Sequence, residues 1–107
     1  MMDNMKTVKA IKLKDHFPHI DFIGSRYAGE LIRELMEEAF KLNQSVVLDF
    51  EHIEMITQSF ADEIIGLFVR EHGKDFVKDH IKIIHAKIEI RTILNLVVRY
   101  SSKLHTS

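Results

Sequence analysis

The sequence predicts an α/β domain, a small parallel or mixed sheet with about three helices in the order β-α-β-α-β-α. Two observations carry this. Short β-type runs alternate with longer segments of helical period, and strands separated by helical crossovers favour parallel pairing with right-handed connections. The chain has 107 residues, 46% of them hydrophobic and 29% charged, which is enough for one core and one domain. A single domain is therefore expected over residues 1–107, with an ordered core over about 7–100 and a frayed tail over 102–107.

The elements follow in order. Val8 to Lys14 is β-compatible, with Ile11 and Leu13 on one face and Lys12 and Lys14 on the other. Asp15 to Gly24 holds the one proline, Pro18, and reads as a connection with a short extended piece around Ile20 to Ile23. From Ser25, a suitable N-cap, Ala28, Leu31, Ile32, Leu35, Ala39 and Leu42 form the stripe of an amphipathic helix that stops at Asn43. Val46 to Phe50 is short, β-branched and nearly continuous in apolar character, the pattern of a strand buried on both faces. His52 to Thr57 is a loop. A second helix is expected to start near Ser59, where Ser59-Phe60-Ala61-Asp62 fits a capped N-terminus, and to end at a left-handed cap on Gly73. Lys74 to His80 reads as a polar connection, Ile81 to His85 as the third strand, and Ile88 to Tyr100 as the third helix.

Composition excludes several functions. Fifteen Lys and Arg against sixteen Asp and Glu leave a net charge of −1, which speaks against a nucleic-acid partner. With no cysteine there is no disulfide, thiolate metal site or Cys nucleophile. No apolar run spans a bilayer and the first six residues lack a signal-peptide core, so the expectation is a cytoplasmic protein without membrane contact. Phosphate-binding glycine loops and nucleophile elbows are missing. Seven histidines invite a metal reading, but His16 and His19 flank Pro18 and have no third ligand at sensible spacing, so no metal and no cofactor are expected.

Some residues remain open to chemistry. Asp49 ends a strand where open α/β sheets place their sites. With Thr57, Asp62 and Glu63 it could form a cluster for a metal or acid–base work. The favoured reading is that Asp49 serves a turn and that Asp62 and Glu63 complement a helix dipole, because this explains the same residues without a cofactor. Arg26 stands at a helix start, where the macrodipole disfavours a cation, so it is expected to pair with Asp49, Asp62 or Glu63 and brace the loop above the sheet. Glu30, Glu34, Glu37 and Glu38 run along one side of the first helix as a solvated face or an acidic docking ridge. The last helix is apolar over more of its circumference than one sheet face requires. Either a neighbouring helix covers the flank, or helix 88–100 meets another chain as a homodimer.

Three segments carry a resemblance: Gly24-Ser25-Arg26 before the first helix, Val47-Leu48-Asp49-Phe50, and Ser59-Phe60-Ala61-Asp62-Glu63. In this order they resemble the STAS domain of anti-sigma factor antagonists and sulphate-transporter tails, and more closely the STAS-like domain family of unknown function. The resemblance runs from about Lys9 to Val98.

In the antagonists the loop reads apolar-Asp-Ser-Ser-Gly, and a partner kinase phosphorylates its first Ser. Aligned on Asp49 and Ile56, this chain has Thr57 at that Asp, Gln58 at the phosphorylated Ser, Ser59 at the second Ser and Phe60 at the Gly. Gln58 cannot accept phosphate; Ser59 or Thr57 could, because a helix N-terminus favours an anion. The resemblance implies a non-catalytic, bacterial-type regulatory module. Thr57, Gln58, Ser59, Phe60, Asp62 and Glu63 would meet a protein partner, a histidine-kinase-like ATPase or another regulator, while Arg26 and Asp49 organise the loop. The alternative is a small enzyme or nucleotide- or metal-binding domain using Asp49, Asp62 and Glu63.

Overall fold

In the sheet, alternate residues of each strand point to opposite faces, and only one face is buried. The computed structural model describes residues 7–105, so the N-terminal six residues and the last two of the tail lie outside the description. Strands β1 (Val8–Lys12), β3 (Ser45–Asp49) and β5 (Ile81–Ile84) form a three-stranded sheet in the order β1-β3-β5, parallel throughout. Ile11 lies beside Leu48, which lies beside Ile83, and Val46 lies beside Ile81. Of these, Ile11, Val46, Leu48 and Ile81 are buried, while Val47 and Asp49 on the opposite face are half-exposed. The expectation that β3 is covered on both faces is thus corrected: its helices cover one side. A second, two-stranded parallel sheet pairs β2 (Phe22–Ile23) with β4 (Met55–Ile56).

Helix α2 (Arg26–Lys41) starts where the sequence predicts, with the Ser25 hydroxyl accepting from the Ala28 amide at 3.0 Å. It ends on Asn43 at φ 58°. The Gln44 amide reaches the Ala39 carbonyl at 2.9 Å, and the Asn43 amide reaches Phe40 at 3.0 Å, the paired bonds of a Schellman stop.

The expected second helix is a composite of α3 (Gln58–Ala61), a π-helical segment Asp62–Gly66 and α4 (Leu67–His72). Its N-cap is Thr57, not Ser59: the Thr57 hydroxyl accepts from the Phe60 amide at 3.2 Å. Ser59 lies within the first turn, because the β4 pairing of Ile56 with Ile23 ends one residue earlier and leaves Thr57 extended. This central helix is buried nearly all round, at Phe60, Ala61, Glu63, Ile64, Ile65, Gly66, Phe68 and Val69. Both α2 and α6 (Ile88–Ser102) pack against it. Each fully buried Ile or Phe here contributes about 1.5–3 kcal/mol.

Other departures are local. Leu13 does not continue β1 but opens a short helix, α1 (Leu13–His16), and its side chain still reaches the core. Lys74–His80 is a helix, α5, which puts Val77 into the core and stacks Phe76 on His80 at 4.2 Å. Gly73, between α4 and α5, has φ 90° and ψ 161°. The φ is positive as predicted, but the ψ lies far from the left-handed helical region, in a zone open only to glycine. Helix α6 runs on to Ser102, and the His105 ring nitrogen lies 3.0 Å from the Arg70 carbonyl. The fold is therefore STAS-like α/β with parallel sheets, as predicted, but with short extra helices. No helix among the described residues is long and apolar enough to cross a membrane.

Candidate functional site

Pairing of β2 with β4 sets the chain leading into α2 beside the chain leading into α3. The Thr57 hydroxyl, besides capping α3, donates to the Gly24 carbonyl at 2.8 Å and fastens these two segments together. Arg26, in the first turn of α2, therefore faces the central helix. Its guanidinium donates to Asp62 Oδ2 at 3.3 Å and to Glu63 Oε2. Arg33, two turns further along α2, donates to Glu63 Oε1. On the other side, Arg70 of α4 donates to both oxygens of Asp62, at 2.7 and 3.1 Å, and to the buried Ser101 hydroxyl of α6 at 3.1 Å. Two carboxylates and three guanidinium groups thus tie α2, the central helix and α6 into one network.

Electrostatics follow from this geometry. Glu63 is 4% exposed, so its charge depends on Arg26 and Arg33. The Arg70 hydrogen bonds, assisted by Arg26, hold the Asp62 carboxyl below the ordinary carboxylate range against the opposing effect of burial. Asp62 in turn raises Arg70. Arg26 at a helix start is accounted for by these two carboxylates, not by Asp49. Nor are Asp62 and Glu63 capping residues: they lie beyond the first turn of α3.

Two glycines make the network possible. A Cβ on Gly29 of α2 would stand 2.5 Å from Glu63 Cβ, and one on Gly66 would stand 2.9 Å from Val97 of α6 and crowd Asp62. The central helix thus meets α2 at Gly29 and α6 at Gly66.

Beside this network lies an open groove of about 540 Å³. Arg26, Gln58, Ser59, Asp62 and Arg70 form its polar wall, and Val97, Tyr100 and Leu104 its apolar wall. Of the predicted contact residues, Gln58, Ser59 and Asp62 reach the groove. Phe60 does not: it is 0% exposed, because the first turn of α3 points it into the core, and so it cannot present a surface. Glu63 is likewise buried beneath the surface. Thr57 has both roles of its hydroxyl engaged.

Asp49 belongs to a different place. Burial would raise its carboxyl, but hydrogen bonds from His85 and from the Glu51 amide, each at 2.9 Å, hold it below the ordinary value. His85 itself sits at φ 59° at the end of β5. Among the described residues, Asp49, Glu51 and His85 are the one group with oxygen and nitrogen atoms close enough to share a cation. Their bonds to one another, and Lys12 at 3.3 Å from Glu51, account for the grouping without one. The favoured turn reading of Asp49 fits its bond from the Glu51 amide; Asp49 serves the sheet end with His85, while Asp62 and Glu63 bond to arginines in the helix layer.

Sequence reasoning missed Arg33, Arg70, Gly29 and Gly66. Signals for them exist. Arg33 is seven residues after Arg26 on the same helix face, and a glycine inside a helix costs about 1 kcal/mol relative to alanine, which a close approach must justify.

Comparison with known proteins finds one family. Residues 28–90 match the family model described as a STAS-like domain of unknown function (DUF4325). No curated protein and no solved structure matches.

Proposed function

Because the chain belongs to the family of STAS-like domains of unknown function, we propose that it is a non-catalytic interaction module that docks a regulatory protein over the groove beside the start of α3. The observation that carries this reading is the groove's composition. Gln58 and Ser59 stand at the helix start with Arg26, Asp62 and Arg70 behind them, and Tyr100 and Leu104 form an apolar wall opposite. That combination of an aromatic anchor with arginines at a polar rim suits protein recognition. Of the carboxylates in the enzyme alternative, Asp62 and Glu63 are neutralised by guanidinium groups and Asp49 lies apart from them with His85, which favours the docking reading over acid–base or cation chemistry.

Within this reading Gln58 replaces the phosphorylated serine of the antagonists, so control passes to Ser59. The Thr57 hydroxyl is engaged with Gly24 and Phe60, whereas Ser59 opens onto a groove containing two guanidinium groups. A phosphate there would meet charge-assisted donors. The partner class is a histidine-kinase-like ATPase or a comparable regulator.

The test is affinity capture from the native host with wild type, Ser59→Asp, Tyr100→Ala and the remote control Lys78→Ala. The expected result is a partner retained by wild type and the control, and lost or exchanged in both groove variants. Identical capture by all four proteins would overturn the placement.

A further inference from the structure

Helices α2 and α6 flank the central helix on two sides, and each turns a second face outward. On α2 that face carries Tyr27 and Leu31, 69% and 40% exposed, beside Glu30, Glu34 and Glu38. On α6 it carries Leu96 and Tyr100, 43% and 63% exposed, beside Arg91, Asn95 and Arg99. Among the described residues no salt bridge reaches Glu30, Glu34, Glu38 or Arg99. One chain thus displays an acidic-apolar helix face and a basic-apolar one, on helices that cannot reach each other within a single copy.

We propose that copies of this chain associate head to tail, α2 of one against α6 of the next, with the helices antiparallel. The orientation follows from the pattern. On both helices the polar row runs one residue before the apolar row: Glu30 before Leu31 and Glu34 before Leu35, Asn95 before Leu96 and Arg99 before Tyr100. Rows of the same hand on two right-handed helices match charge to charge and apolar to apolar only when the helices run in opposite directions; parallel docking sets charge against apolar surface. The lengths also agree. Glu30 to Glu38 and Arg91 to Arg99 each span eight residues, about 12 Å of helix. Antiparallel docking places Glu30 by Arg99, Glu34 by Asn95 and Glu38 by Arg91.

Such a contact is heterologous, because each copy offers a different patch to each neighbour, so it propagates into short chains or a ring and does not stop at a two-fold dimer. Two single helices make a small interface, and the association belongs to the weak, salt-sensitive class. It shares Tyr100 with the groove's apolar wall but uses none of the groove's polar residues.

The experiment is sedimentation equilibrium at protein concentrations up to about 1 mM, the weak end of specific association, at low and high salt. Wild type is compared with Glu34→Arg/Glu38→Arg, with Arg91→Glu/Asn95→Glu and with an equimolar mixture of the two variants. All four positions are exposed, and circular dichroism checks that each variant keeps its fold. The expected result is a wild-type mass that rises with concentration and falls back at high salt. Each variant alone is at least about tenfold weaker, and the mixture recovers association because each reversed face finds its complement. A wild type monomeric at every concentration would overturn the proposal. So would association that survives the α2 reversal, as an α6-to-α6 dimer would, or a mixture that fails to recover.

Discussion

Asp49 and Glu63 are both carboxylates held by side chains from another element, yet they are built for opposite tolerances. Asp49 sits at the end of β3 with its side chain 17% exposed, and its partner His85 has a side chain 57% exposed. Glu63 lies inside the helix layer with Arg26 and Arg33 on its two oxygens. Water competes for the first pair and screens it, so its worth is small. Water is excluded from Glu63, so each guanidinium is a condition for burying the charge at all. Equal bond lengths would hide this difference; burial decides it.

The largest expected effect comes from breaking the buried side. Arg33→Ala leaves Glu63 dependent on Arg26 alone and is expected to cost about 3 kcal/mol, read as a lower urea midpoint. Replacing both Arg33 and Glu63 with Met should recover most of that loss, because the charge that needed compensation is gone. Next is Gly29→Ala, whose added methyl meets Glu63 Cβ; about 2 kcal/mol of destabilisation is expected by the same measurement, and an unchanged midpoint would mean α2 can back away.

Asp62 gives a smaller, pH-dependent effect. Its folded-state carboxyl is lowered, chiefly by Arg70, so its contribution is full above the ordinary carboxylate range and is lost as pH falls through the lowered value. Asp62→Asn should remove about 1 kcal/mol at neutral pH and flatten the acid limb of the stability profile; parallel acid limbs would contradict the assignment. Smallest is Asp49→Ala, expected to cost under about 1 kcal/mol and to cost less still in high salt. A loss as large as that of Arg33→Ala would erase the contrast between the two sites.

Local signals made part of this architecture legible in the sequence. Ser25 and Asn43 bound α2 as expected because capping chemistry is written in adjacent residues. The β–α alternation and the STAS-like family were legible for the same reason. What failed depended on distant partners. Thr57 takes the cap from Ser59 because β4 pairs with β2, and Phe60 turns inward because α2 and α6 close over the central helix. Arg26 was expected to find a carboxylate, and does so at Asp62 and Glu63. Which one it would find depended on the pairing of β2 with β4, which no local pattern displays. The polar look of Lys74 to His80 concealed a helix because its buried residue, Val77, is a single position.

The π-helical segment Asp62–Gly66 also shifts the phase of everything after it. In an unbroken α-helix, residues 62 and 70 would lie about 80° apart around the axis; one extra residue absorbed in a wide turn reduces the offset to about 20°. Arg70 thereby comes round to the side of Asp62, and its fork closes on both oxygens. Excision of a single residue between Asp62 and Gly66 would therefore yield a more regular helix and a worse protein. The helix would rotate its C-terminal half by about a quarter turn, carrying Arg70 off its carboxylate and Phe68 and Val69 out of their seats. For this domain the number of residues in that one turn is as much a part of the design as their identity.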